Sequence, residues 1–204
     1  MSENCYIRIR NLIFAIIGLI FLLYPNLLHA QFTEFEPKFY YQQSLAIQKT
    51  GMIVLSSWAG LNILTGIAGN FRFKNESKYF FQMNAAWNVV NLGIAAFGLA
   101  GVASAVLDVD STYMLSEMQN FDRILLINAG LDILYIATGS FLLRKGLNEK
   151  RSRFIGYGRS VILQGGFLFL FDLILYFTHR PYTKALFQIT EKINITTTGL
   201  SIAF

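Results

Sequence analysis

Four apolar runs leave this chain little choice of fold. Residues 52–71 and 83–107 carry no Asp, Glu, Lys or Arg, residues 124–143 carry only Asp132, and residues 161–177 carry only Asp172. Each run approaches the ~20 residues that a helix needs to cross a hydrocarbon core. A segment inside lipid must satisfy its backbone N–H and C=O groups internally, so only helices and closed barrels span membranes. Barrel strands lack charge-free runs of this length. The pattern predicts an all-α membrane protein, a bundle of four transmembrane helices. Composition agrees: 14% of residues are charged and 54% hydrophobic, where a soluble domain carries about 25% charged residues.

The flanks set the expected organisation. Arg8 and Arg10 precede an apolar core at 12–23, Pro25 breaks it, and Leu28-His29-Ala30 precedes Gln31; this reads as a signal peptide over 1–30, with an uncleaved anchor helix as the other reading. Residues 31–50 mix Glu34, Glu36, Lys38 and Lys49 with Phe35, Phe39, Tyr40 and Tyr41, as expected of an interfacial, extracytoplasmic segment. The membrane domain is expected over 51–179. The tail 180–204, which opens with Arg180-Pro181 and ends with Leu200, Ile202 and Phe204 alternating with small residues, reads as a loose or strand-like extracytoplasmic tail.

Loop charge predicts orientation. Arg72, Lys74 and Lys78 flank the first connection, and Arg144, Lys145, Lys150, Arg151, Arg153 and Arg159 the third, whereas the second holds Asp108, Asp110, Glu117 and Asp122 with no Lys or Arg. The positive-inside rule places the two basic connections in the cytoplasm and the acidic one outside, giving a multi-pass protein of the cytoplasmic (inner) membrane with both mature termini extracytoplasmic.

Residues 59–69 read A-G-L-N-I-L-T-G-I-A-G and residues 129–139 A-G-L-D-I-L-Y-I-A-T-G. The similarity aligns Asn62 with Asp132 and Gly69 with Gly139, and predicts two tandem helical hairpins related by an axis along the membrane normal. Asn62, Asn91, Asp132 and Asp172 each fall near mid-depth of their runs at 1.5 Å per residue. Helical spacing places Asn84, Asn88 and Asn91 on one face of the second run, and Asn128, Asp132, Tyr135 and Gly139 on one face of the third. Trp58, Asn62, Thr65 and Gly69 share a face of the first, and Gly158, Gly165, Asp172 and His179 a face of the fourth. These stripes are expected to face inward, where they meet other polar groups. No Lys, Arg or His lies at the depth of the two carboxylates, so they are expected to be protonated, share a proton or hold a cation. The candidate site is thus Asp132, Asp172, Asn62, Asn88, Asn91, Asn128 and Tyr135. The competing reading is interhelical glue worth about 0.6 kcal/mol per bond.

Other chemistries lack support. No interleaved basic and aromatic surface points to nucleic acid. One cysteine and two histidines exclude disulfides and a Cys/His metal site by count, and no cofactor is implied. Ser56, Ser57, Ser104 and Ser160 have no histidine at matching depth, so a Ser–His hydrolase is not expected. Gly156-Tyr157-Gly158-Arg159 lacks the strand and Lys of a phosphate loop. Trp58 and Trp87, each four residues before an Asn, read as bundle-core packing or as walls of an aromatic cavity.

The segments Q-M-N-A-A-W-N-V-V-N-L-G-I-A-A-F-G at 82–98, N-A-G-L-D-I-L-Y at 128–135 and G-Y-G-R-S-V-I-L-Q-G-G-F-L-F-L-F-D at 156–172 resemble a family of bacterial four-span membrane proteins known only as a domain of unknown function. The resemblance covers about 51–179 and implies a stand-alone membrane domain, with no assigned site residue. Two functions are expected from the residues themselves: a small solute- or ion/proton-coupled carrier using Asp132 and Asp172, or a non-catalytic accessory subunit whose polar plane locks the bundle. Beyond the lipid bilayer, the expected partners are a small solute or cation. A carrier of four helices also favours a homodimer, with Gly98 and Gly101, or Gly66 and Gly69, as close-contact points.

Overall fold

The computed structural model describes residues 36–200, with side chains to residue 191. The leader expected over 1–30 lies outside the described residues. Four helices follow in order: α1 Pro37–Arg72, α2 Asn75–Ala103, α3 Ser111–Asn148 and α4 Ser152–Leu200. All four are long and apolar enough to cross a membrane. Pro37 starts α1 at its first turn, where its missing N–H costs nothing. Asp110 caps α3 by accepting from the Thr112 amide at 3.0 Å. Two tight turns, at 73–74 and 149–151, are closed by Asn75 and Lys150 at φ 51°; each reverses the chain, so α1 lies along α2 and α3 along α4.

Close approach depends on glycine where α3 meets α4. A Cβ on Gly139 would sit 2.9 Å from the Gly158 carbonyl, and one on Gly158 2.6 Å from the Gly139 carbonyl. Gly66 lies against the backbone of Phe81 in the same way. Gly66, Gly69 and Gly98 are therefore occupied inside the bundle, against Phe81, Ala85 and Met52; this corrects the expectation that they serve contact between copies, and leaves Gly101 in open space. α4 packs on every other helix, whereas α2 and α3 scarcely touch and leave a gap between them. Apolar side chains such as Leu64, Phe97, Phe141 and Phe177 project outward, as suits a lipid environment.

At the end of the bundle bearing residues 104–110, here the acidic end, three helices run past the apolar spans. Tyr40 and Tyr41 of α1, Met114, Leu115 and Met118 of α3, and Leu186 and Ile189 of α4 form a separate apolar core, with Leu107 and Val109 packed against it. Residues 37–50 are the first turns of α1, and the tail, expected to be loose or strand-like, is helical to Leu200, which corrects that expectation. Pro181 removes one helical hydrogen bond, but Leu186, completely buried, gives the continuing helix apolar contacts that a strand or loose tail would forgo. The alternation of Leu200, Ile202 and Phe204 lies at and beyond the end of the described residues.

Candidate functional site

The inward-facing polar groups separate into three clusters. The first is a closed ring of hydrogen bonds joining α1, α2 and α4. Trp58 Nε1 donates to Gln164 Oε1 at 3.0 Å, the Gln164 amide donates to Asn84 Oδ1, Asn84 Nδ2 donates to Asn62 Oδ1 at 2.7 Å, and Asn62 Nδ2 returns to the Trp58 carbonyl at 2.8 Å. Asn88 donates to the Asn84 carbonyl and Asn91 to Asn88 Oδ1, so the chain of amides runs on along α2. The Trp58 ring stacks on Phe167, with centroids 3.9 Å apart. Every linked donor meets an acceptor among buried side chains, which is the condition for burying amides in lipid.

The second cluster surrounds the gap between α2 and α3. A cavity of ≈ 690 Å³ runs from the acidic end into the middle of the bundle. Met52, Leu55, Ile94 and Leu168 supply apolar wall, and Asn91, Asn128, Asp132, Tyr135 and Asp172 also line it. Asp132 and Asp172 are buried and stand within hydrogen-bonding reach of each other. Asp132 Oδ2 is nevertheless buried without a partner. No Lys, Arg or His among the described residues lines the cavity. Trp87 of α2 meets Tyr135 of α3 edge-to-face at 4.9 Å, bridging the gap beside the carboxyl pair. Two carboxylates so placed cannot both carry a full charge unless a proton or cation lies between them.

The third cluster marks the acidic edge, beyond the apolar runs 124–143 and 161–177. Ser44 Oγ lies 2.6 Å from His179 Nε2, and His179 Nδ1 lies 2.7 Å from Asp122 Oδ1. Arg180 donates to Asp122 Oδ2 at 3.1 Å, and Gln48 donates to Ser44 Oγ at 3.1 Å. Burial opposes ionisation of Asp122, but hydrogen bonds from His179 and Arg180 outweigh it and hold the carboxyl below its ordinary value. The atom order is that of a Ser-His-Asp hydrolase. Ser44 and His179, however, are completely buried, and Ser44 sits inside α1 where backbone amides are already used by the helix, so no backbone oxyanion donor faces it. The relay ties α1, α3 and α4 together at the base of the extension.

The seven expected site residues thus divide. Asn91, Asn128, Asp132, Tyr135 and Asp172 meet around the cavity, while Asn62 and Asn88 belong to the amide chain and do not line it. Asn62 and Asp132, which align in the similar segments 59–69 and 129–139, have different neighbours. Trp58 packs, and Trp87 lines the cavity. Sequence reasoning missed Gln164, which closes the ring, although its position in a charge-free run four residues after Ser160 marked it as costly to expose to lipid. It also missed Ser44, the partner of the only described histidine.

Four membrane-length helices with a buried amide ring and an acidic cavity define a class, that of polytopic helical membrane proteins with polar groups at mid-bundle. Within that class the chain belongs to DUF6992, a family of unknown function, whose pattern its residues 54–173 match. The matched segment holds the whole ring and both carboxylates and excludes Ser44 and His179. No curated protein and no solved structure matches the chain.

Proposed function

We propose that this protein is a small carrier-like protein of a bacterial inner membrane, which binds a proton, cation or small solute at the Asp132–Asp172 pair. The observation that carries this reading is the buried, unpartnered Asp132 Oδ2 in a cavity wall without any basic side chain. An acid whose only partner at mid-bundle is another acid is costly as mere structure, and binding there converts the cost into affinity. The amide ring supports the accessory-subunit reading for Asn62, Asn84 and Gln164, since these groups satisfy one another without reaching the cavity. The same proposal takes the leader 1–30 as removed, the basic turns as cytoplasmic and both mature termini as extracytoplasmic, on loop charge. The repeat between 59–69 and 129–139 supports two tandem hairpins, and four helices per protomer favour a homodimer.

The test is thermal stability in detergent over about pH 5 to 9, with sodium or potassium, for wild type, Asp132→Asn and Asp172→Asn. A ligand bound only by the folded form raises the melting temperature, and Asn keeps size and hydrogen-bonding capacity without ionising. The expected outcome is a pH- or cation-dependent shift that both variants lose while remaining folded. The other titratable groups lining the cavity are Tyr41 of α1 and Tyr113, Glu117 and Tyr135 of α3, so a shift retained in both variants would move the site to one of these. A wild-type curve flat under all conditions would leave the accessory reading.

A further inference from the structure

The cavity's size, lining and rim specify more than an acid, and what they specify rests on the reading of the carboxyl pair just given. Its ≈ 690 Å³ falls within the ~300–1,000 Å³ of sites for drug-sized molecules, far more than a bare inorganic cation fills. The wall is largely apolar, with Met52, Leu55, Ile94 and Leu168 along it, and the two carboxyls and the edge-to-face rings of Trp87 and Tyr135 line it as well. Aromatic rings beside a carboxylate suit an organic cation, which gains from both the charge and the ring quadrupole.

The rim indicates the route. Val90 and Ile94 on α2 are 62% and 52% exposed, and Ile124 and Leu131 on α3 are 53% and 41% exposed, yet all four also line the cavity. In a bilayer these edges face lipid, because α2 and α3 do not close on each other. A molecule dissolved in the membrane reaches the cavity sideways without crossing the extension at the acidic end. We propose that the cavity is a binding site for an amphipathic organic cation, a bulky apolar body bearing one positive charge, that enters from the lipid between α2 and α3 and sets its charge against Asp132 and Asp172.

The full chain in lipid nanodiscs tests this with two probes of equal size and opposite charge, tetraphenylphosphonium and tetraphenylborate, each measured by equilibrium dialysis against empty nanodiscs. Tetraphenylphosphonium is expected to bind saturably, with tetraphenylborate showing no saturable binding. Asp132→Asn and Asp172→Asn should each weaken the cation by about tenfold or more, the effect of losing roughly one close charge contact. Val90→Trp, at an exposed rim position away from the carboxyls, should weaken it as well and keeps the test decisive should an Asp variant fail to fold. Equal binding of both probes, absent cation binding, or wild-type affinity in all three variants would overturn the proposal. If the phosphonium fails to bind while a melting shift sensitive to Asp132→Asn persists, the carboxyl pair keeps its proton or metal-cation role and the organic ligand falls; if both are absent, both readings fall.

Discussion

At the scale of residues, Gln164 and Asp122 show how a buried polar group stabilises only through its partners. Gln164→Leu leaves Trp58 Nε1 and Asn84 Oδ1 without partners. An interhelical bond in a membrane is worth about 0.6 kcal/mol on average, but an orphaned buried group costs about 1–3 kcal/mol, and the second figure governs a closed ring whose members Gln164 and Asn84 are fully buried. Gln164→Leu should lower unfolding free energy by about that amount, read by denaturant titration in detergent; a change within error would mean that the ring is not closed in the folded protein. For Asp122 the sign follows from its lowered titration. Its ionised form is favoured by folding, so its stabilisation is complete above the unfolded value of about 3.9 and is lost as pH falls through the lower folded value. Wild type should melt at progressively lower temperature as pH drops below about 4, and Asp122→Asn should flatten that dependence while melting lower at neutral pH.

At the scale of elements, the α3–α4 contact and the extension test different forces. A methyl group on Gly139 meets the Gly158 carbonyl and Ile162 at 2.9 Å, so Gly139→Ala forces the helices apart and should cost about 1–3 kcal/mol; Gly130→Ala, which meets nothing within 4 Å, is the matched control and should be neutral or slightly stabilising. Leu186→Ala opens the core of the extension against Tyr41 and Met118. It should cost about 2–5 kcal/mol and raise amide exchange in the first turns of α1 and α3 before the membrane spans are affected. The continuation of α4 past Pro181 shows why a local signal misled here: proline argues for an ending, but the helix that continues carries Leu186 and Ile189 into the apolar core.

At the scale of the whole molecule, orientation can be read with single cysteines in a Cys5→Ser background. Glu117→Cys should react with an impermeant thiol reagent in cells with a permeabilised outer barrier, and Lys150→Cys should not; equal labelling would reverse or abolish the charge argument. The all-helical class, the four apolar spans among the described residues and the inward sense of most of the polar stripes were legible in the sequence, because charge-free runs of membrane length admit one backbone solution and helical period fixes which residues share a face; Thr65, expected inward with Asn62, is instead exposed and bonds back to the Leu61 carbonyl. Tertiary structure alone decided which polar groups meet. Asn62 and Asp132 align in the similar segments 59–69 and 129–139, yet one finds amides and the other a carboxyl, since partnership depends on which helix lies opposite and sequence period carries no such information. For the same reason Ser44, Asp122 and His179, far apart in the chain, form one relay at the edge, and the cavity exists because α2 and α3 are held apart by their packing on α1 and α4, a distance that no single helix encodes.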